Sequence, residues 1–494
     1  MIKNRIVLVQ PMAKFHGSDA SSVPPYALLY VGSALERAGY KVDLYHGSDK
    51  SELHRVIGNP EDIIFVGFSA FTGEPVVDAA AMSAELRVVY DGLFLVLGGY
   101  HASTMPRQSL LTGVFDVVVE GEGEETVIDL AFFLSGKNRG DDLDDLQSYQ
   151  GLWFRDSDGG VITTGRRKYS NNIDFDIDWD LVDLDRYVHT VGHLGGKKYF
   201  YLFTSRGCPY NCSYCSAAYL YERRYRKETV EHVIQTYKWV IDKYKVDLVE
   251  YLDDNFFVDL EWAEKVASGI DRPYRALIRA DRIDEGVCDL LNRTNCRALF
   301  IGIESGNDRV RNEIMEKGIT SDQIRNAVKM MEERCPQINV TTMFIMGIPG
   351  ETYEEYRDTA RFAIELTELH PRLLTQANVY VPYPRCKSYL DAIRLGWNEP
   401  KRISDWIMDS KPGSEIRPVW LDWYGGGTMM HLTLTGIMFM LLRRDDGFSG
   451  IKKHAKAFLR MMARFRLKTG IYAFAIEMHM FWLVYKLWVK KDRR

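Results

Sequence analysis

Cys208, Cys212 and Cys215 stand in the run Ser-Arg-Gly-Cys-Pro-Tyr-Asn-Cys-Ser-Tyr-Cys. Three thiolates at this C-x3-C-x2-C spacing can hold one iron–sulfur cluster, and no fourth cysteine lies close in sequence to complete its last iron. A cluster held this way keeps an open coordination position, where a small molecule can bind and receive an electron. With 7 cysteines in 494 residues, chance would produce this spacing roughly once in a thousand such chains, so composition does not account for it. The competing uses of three thiols are buried structural cysteines, a disulfide or a zinc site. Zinc usually takes four ligands in paired spacing, and Cys288, Cys296, Cys335 and Cys386 form no second C-x2-C.

At this triad the sequence resembles the radical S-adenosylmethionine (radical SAM) superfamily. The resemblance implies a 4Fe-4S cluster whose open iron is chelated by the amino and carboxylate groups of S-adenosylmethionine. Reductive cleavage then yields a 5'-deoxyadenosyl radical that abstracts hydrogen from unactivated carbon. Tyr214, just before the third cysteine, matches the aromatic residue common there in the family. Electrons enter through the cluster, which implies a ferredoxin or flavodoxin donor.

The elements that must position the triad form a strand–helix alternation from Tyr199 onward. Strands are expected at 199–204, 248–252, 274–278, 298–303, 340–346 and 374–381, with helices between them. Six strands with crossover helices fit a partial (β/α)6 barrel over residues 199–395, of the radical SAM type. In parallel barrels the chemistry gathers at the carboxyl-terminal mouth. Asp253 and Asp254, after the second strand, are placed where the family presents groups to the amino group of S-adenosylmethionine, and a helix cap is their ordinary alternative. Glu304 and Ser305 end the fourth strand, where a carboxylate can accept bonds from ribose hydroxyls. Arg279, with Asp281, follows the third strand; it can pair with the cofactor carboxylate, with Glu304, or in a structural ion pair. Gly347, Pro349 and Gly350 match the superfamily turn that supplies backbone to the adenine. Arg385 and Cys386 stand where the family often shows a Pro-x-Pro-Gly-Thr run, on the substrate side, and a buried free thiol is the expectation for Cys386.

Residues 1–145 show their own alternation, with strands at 5–9, 41–45, 63–68, 93–97 and 115–119, which predicts a doubly wound parallel sheet. Ligands of such sheets sit beyond the carboxyl ends of the strands. There lie Ser69 and Thr72, then Gly98, Gly99 and His101, then Glu120, Gly121 and Glu122. Together with Pro24-Pro25-Tyr26 these loops resemble the cobalamin-binding domain fused to many radical SAM enzymes, while any one alone would read as a tight turn. The cobalt-ligating pattern D-x-H-x-x-G is absent: the segment reads Asp43-Leu-Tyr-His46-Gly47, and His46 is expected as a surface loop residue. His101 is expected to line the pocket. Residues 146–198 read as a connector, a hairpin followed by the acidic run 174–185.

The net charge of −5 carries no footprint of nucleic-acid binding, and the cysteine pattern implies a reducing, cytoplasmic setting. Charge is uneven, however. Residues 443–494 hold 14 Lys/Arg against 4 Asp/Glu, an excess of +10 in a helical, basic and aromatic region spanning 396–494. The apolar stretches 431–442 and 471–489 are too short or too charged to cross a bilayer. Lys452 to Lys468, interleaved with Phe458, Met461 and Phe465, suit either a peripheral membrane helix near Trp482 and Trp488 or a lid packed on the barrel. The expected activity is functionalisation of an unactivated carbon, foremost C-methylation of a large apolar or lipid-like substrate. The alternatives are radical cyclisation or carbon–carbon coupling without methyl transfer, and a cobalamin carrier with a structural cluster.

Overall fold

Runs of Ile, Val, Leu and Phe alternate with helices whose apolar residues recur every three to four positions, and they build two parallel sheets. The computed structural model describes residues 3–12, 23–191, 196–406, 428–442 and 450–470. The chain divides into two units, Met1–His189 with Glu399–Ile416, and Thr190–Asn398 with Arg417–Arg494.

The first unit runs β1 (Arg5–Gln10), α1 (Tyr26–Arg37), β2 (Lys41–His46), α2 (Lys50–Ile57), β3 (Ile63–Ser69), α3 (Glu74–Val89) and β4 (Phe94–Gly98). It continues with α4 (Gly99–Thr104), α5 (Pro106–Leu111), β5 (Val117–Val119) and α6 (Thr126–Ser135). These five strands pair in parallel in the order β2-β1-β3-β4-β5. Helices cover both faces, so β3 and β4 are buried along nearly their whole length. Ile6, Leu8, Ile64, Phe65, Val96 and Phe154 belong to one core cluster.

Of the expected connector, residues 146–189 belong to this unit. The hairpin β6 (Leu152–Arg155) and β7 (Val161–Thr163) extends the sheet antiparallel to β5, with Val118 opposite Trp153. The acidic run is docked: the Asp178 N–H donates to Ser33 Oγ at 2.8 Å, and Arg37 Nη1 donates to the Asp176 carbonyl at 2.7 Å. Trp179, Leu184 and Tyr187 are interleaved with the acids and buried, Trp179 edge-on to Tyr26. Burying these three apolar side chains anchors a segment that its charge alone would leave in water.

The second unit begins with β8 (His189–Val191) and β9 (Lys197–Leu202), followed by the ribbon β10 (Ser205–Arg206) and β11 (Arg226–Lys227) around the turn α7 (Ala217–Leu220). Then come α8 (Val230–Tyr244), β12 (Leu248–Tyr251), α9 (Leu260–Ile270), β13 (Tyr274–Arg279), α10 (Glu285–Arg293) and β14 (Cys296–Glu304). The alternation closes with α11 (Ser321–Arg334), β15 (Asn339–Met346), α12 (Tyr353–Leu369), β16 (Leu374–Val379) and α13 (Lys387–Arg394). Strands β9, β12, β13, β14, β15 and β16 pair in parallel in sequence order and leave the sheet open, which makes the partial barrel expected from the alternation. Side-chain caps set the helix starts: Thr320 and Thr352 each close a reciprocal capping box, on α11 and α12.

After the barrel, α14 (Thr428–Met440) packs on its last strand, where Thr375 Oγ1 donates to the Phe439 carbonyl at 2.5 Å and Phe439 meets Phe344 edge-on. The last described helix is α15 (Gly450–Thr469). Among the described residues no helix is long and apolar enough to cross a membrane. The stretch 471–489, with Trp482 and Trp488, lies outside the described residues.

Candidate active site at the barrel mouth

The loop bearing the three cysteines is pinched at its ends by the β10–β11 ribbon, which pairs Ser205 with Lys227 and Arg206 with Arg226. Gly207 opens the loop at φ +82°, where a Cβ would stand 2.2 Å from the Arg224 carbonyl oxygen and 2.7 Å from Tyr221 Cβ. Only glycine fits that turn. Midway, Ser213 clamps the loop: its N–H donates to the Met315 carbonyl at 2.9 Å and its Oγ to the Ile314 carbonyl at 2.6 Å. Its own carbonyl accepts from both the N–H and Oγ of Ser388 at 3.0 Å.

Cys208 and Cys212 are half-buried, Cys215 is exposed, and all three are free thiols. They lie close enough to act electrostatically on one another, and Asp254 lies close enough to act on Cys208 and Cys215. Among the described residues no three Cys, His, Asp or Glu converge on one point as the ligands of a single ion do. A cluster with an iron for each thiolate needs its ligands spread around it, so three free thiols on a clamped loop fit a 4Fe-4S group better than zinc.

The acidic pair after β12 divides its work. Asp253 is buried and turned into the fold, accepting from the Thr204 N–H at 3.1 Å, from Thr204 Oγ1 and from Ser205 Oγ at 2.5 Å. Burial pushes its carboxyl up to about 7. It therefore ties β12 to the strand end that feeds the cysteine loop, which departs from its expected place before the ammonium of S-adenosylmethionine. Asp254, beside it, is exposed toward the thiols and accepts from the Gly207 N–H.

Glu304 sits at φ +70° where the β14–β15 register shifts, a strained backbone position. Its Oε1 receives Lys317 Nζ at 2.9 Å in an ion pair almost closed to water, and Lys317 Nζ lies 3.4 Å from Tyr214 Oη. Burial, with Glu304 alongside, pushes the Tyr214 hydroxyl well up. Arg279 is held by Asp281 at 3.0 Å, donates to the Lys317 carbonyl at 2.8 Å and lies 3.7 Å over the ring of Tyr210. The mouth thus brings Tyr214, Glu304 and Arg279 together with Lys317 and Tyr210. No local pattern marked Lys317, because it reaches Glu304 from thirteen residues away around the turn that follows β14.

The remaining barrel residues serve mainly as braces. The Ser305 hydroxyl is shared with Thr359 Oγ1 at 3.1 Å and accepts from the Asn307 N–H at 3.1 Å, binding β14 to α12. The turn Gly347 to Gly350, with Pro349 buried, is held by Glu351, whose Oε2 accepts from the Gly347 N–H at 2.7 Å; burial pushes that carboxyl up to about 8. Cys386 is a buried free thiol, as expected, close enough to Cys215 to act on it electrostatically, and Arg385 lies over the ring of Tyr219.

In the first unit the three loops past the strand ends do meet. The His101 N–H donates to the Ala70 carbonyl at 3.0 Å, and the Gly121 N–H donates to Ser103 Oγ at 3.0 Å. Gly99, at φ +87°, is required because a Cβ would stand 2.6 Å from Ser69 Oγ. Glu120 accepts from Trp153 Nε1 at 2.6 Å and pairs with Arg166, while Glu122 beside it is half-buried. His101 is fully buried under Trp406, its Nδ1 3.0 Å from Thr72 Oγ1, and burial drops its pKa to about 3. It lies beneath the loops rather than on an open pocket wall. His46 is likewise buried, against the expectation of a surface loop: its ring stacks on Tyr187, Nδ1 is 2.8 Å from Tyr187 Oη, and burial lowers its pKa to about 4. Tyr187 arrives from the docked acidic segment, which explains why sequence placed His46 in solvent. What the loops do expose is Phe71, beside Tyr100 with ring centroids 5.8 Å apart. Phe71, exposed, and Tyr100, half-buried, set two rings on close-packed loops, which fits a site for a large flat ligand.

Comparisons with known proteins agree with this geometry. Residues 202–363 match the radical SAM superfamily and residues 17–131 match the B12 binding domain. An uncharacterized methyltransferase of Pyrococcus horikoshii is 29% identical over 383 residues, covering 75% of this chain and 78% of the relative. The cytidylyl-2-hydroxyethylphosphonate methyltransferase of Streptomyces wedmorensis is 23% identical over 461 residues, covering 80% and 83%. The anaerobic magnesium-protoporphyrin IX monomethyl ester cyclase of Synechocystis is 28% identical over 347 residues, covering 67% and 66%. Among solved structures, the radical S-adenosylmethionine methyltransferase TsrM of Kitasatospora setae shares the fold at a TM-score of 0.62 and 20% identity, covering 79% of this chain and 76% of that one. The cobalamin-dependent S-adenosylmethionine radical enzyme OxsB aligns at 0.60 and 16% identity, covering 80% and 55%. A cysteine loop clamped at the mouth of a partial barrel, in a chain that also carries a B12 binding domain, makes this protein a cobalamin-dependent member of the radical SAM superfamily.

Proposed function

We propose that the protein C-methylates an unactivated carbon, with residues 1–145 serving the corrin and residues 199–395 serving S-adenosylmethionine. The observation that carries this reading is the clamped loop with three free thiols at the barrel mouth, in a chain whose other unit presents Phe71 and Tyr100 on glycine-bearing loops. When bound, the cluster, S-adenosylmethionine and cobalamin supply radical generation and a transferable methyl group. The chain's own residues orient them. Cys208, Cys212 and Cys215 hold the cluster, and Asp254 faces the same space. The Glu304–Lys317 pair, Tyr214 and Arg279 form a charged, water-poor wall where the amino and carboxylate groups of a bound cofactor find partners of opposite sign. Gly347, Pro349 and Gly350 offer backbone to a flat base. In the first unit, Ser69, Thr72, Gly98, Gly99, Glu120, Gly121 and Glu122 shape the loops around the corrin. A ferredoxin or flavodoxin supplies the electron. The substrate is large and apolar, and the basic helix α15 keeps the enzyme at a membrane surface.

Methyl transfer is favoured over ring formation because two of the relatives above are named methyltransferases, although the cyclase relative keeps the second reaction in view. Anaerobically reconstituted protein supplied with cobalamin, reductant and extracts of apolar metabolites should form S-adenosylhomocysteine and 5'-deoxyadenosine together, with a product heavier by one methylene unit. A product lighter by hydrogen, without S-adenosylhomocysteine, would establish the cyclase reading instead. The chain with all three loop cysteines changed to alanine should form neither nucleoside.

A further inference from the structure

Among the described residues, helix α15 has two apolar faces, one packed on the fold and one exposed. From 450 to 470 the sequence holds seven Lys/Arg and no Asp or Glu. On the inner face Ala463 and Leu467 are buried, Arg464 pairs with Glu368 and the Lys468 carbonyl accepts from Arg357 Nη2 at 2.9 Å, so the helix is fastened to α12. On the opposite face stand Phe458, Met461 and Phe465, exposed by 49%, 56% and 52%. At 100° per residue these three fall within about 60° of one another around the helix and span about 10 Å of its length. Lys468, exposed, flanks that stripe, and Arg464 and Arg460, half-buried, continue its row at four-residue spacing round toward the packed face.

An outward stripe of two phenylalanines and a methionine is costly in water and contributes nothing to the packed core. Its surroundings select the cover. A second copy bringing the same face would set two basic, acid-free helices against each other, which like-charge repulsion disfavours. A layer of anionic headgroups over acyl chains meets both features at once: the rings enter the acyl boundary while the basic row stays at headgroup level. We infer that the face of α15 bearing Phe458, Met461 and Phe465 docks on anionic lipid bilayers. This deepens the membrane-surface reading given above, naming the residues and the lipid charge, and it stands independently of the reaction the barrel performs.

The test is co-sedimentation of the full-length, reconstituted protein with phosphatidylcholine vesicles prepared with and without phosphatidylglycerol. Binding is expected only to the phosphatidylglycerol vesicles, and it should weaken as salt is raised. Changing Phe458, Met461 and Phe465 together to serine should lower partitioning at least tenfold while leaving S-adenosylmethionine cleavage intact. Lys468→Glu should lower it by roughly fivefold or more, at about fivefold per basic residue. The inference falls if wild-type protein ignores both vesicles or binds both equally. It also falls if the serine variant binds like wild type, or if that variant changes only the oligomeric state. Protein that binds these vesicles but cleaves no S-adenosylmethionine would refute the proposed reaction and leave this surface assignment standing.

Discussion

Replacing Gly207 by alanine tests whether the turn at the head of the cysteine loop controls cluster binding. Two costs add at this residue. A side chain at φ +82° forfeits about 1–2 kcal/mol relative to right-handed backbone. A Cβ at 2.2 Å from the Arg224 carbonyl oxygen and 2.7 Å from Tyr221 Cβ forces backbone to shift, and such overpacking costs about 1–3 kcal/mol. Arg224 and Tyr221 lie on the far arm of the same loop, so the strain of about 2–5 kcal/mol is relieved by opening the loop that carries the ligands. At about 1.4 kcal/mol per tenfold change, affinity for the cluster should fall by about 30-fold to a few thousandfold. The assay is iron and sulfide retained per chain after anaerobic reconstitution and challenge with a graded chelator. Gly39→Ala is the control: its φ of +93° carries the backbone cost, but no atom lies within 4 Å and the residue belongs to the other unit. If the Gly207→Ala protein resists chelator as well as wild type does, the argument that this turn sets the thiol geometry is refuted.

Lys317→Met strands the buried Glu304 carboxylate and should cost about 3–5 kcal/mol, read as a lowered denaturation midpoint of the second unit; Glu304→Gln in the same chain should restore most of it. A loss below about 0.5 kcal/mol, the range of ordinary surface changes, would show that the pair is not closed to water. His46→Ala should leave the absorption spectrum of bound cobalamin unchanged, because the ring is stacked on Tyr187 and engaged by its hydroxyl; a shifted spectrum would assign His46 to cobalt. Between pH 6.5 and 8 the cofactor-free protein should lose stability as pH rises. Asp253 and Glu351, lifted to about 7 and about 8 by burial, bind protons in the folded state that the unfolded chain has already released, and His46 and His101, neutral when folded but partly protonated in the unfolded chain near pH 6.5, oppose this trend only at the low end of the range. Denaturant midpoints across this range check the slope, and Asp253→Asn should flatten part of it.

The parallel strands of both units were legible because a strand buried on two faces must be apolar throughout, and the intervening helices show their period without reference to a partner. The cysteine triad was equally plain, since three ligands of one cluster must sit within a single short loop. By itself, then, the sequence determined the alternation, the cluster ligands and the loops that gather at the strand ends. Only the tertiary structure decided what those loop residues touch. Asp253 and Asp254 are adjacent and chemically identical, yet one is latched by Thr204 and Ser205 while the other faces the thiols. His46 looked exposed until Tyr187, 141 residues later, closed over it, and Lys317 meets Glu304 only because the chain turns back after β14. A side chain's burial and charge partner depend on which segment packs over it, and contacts between segments distant in sequence leave no periodic trace in either one.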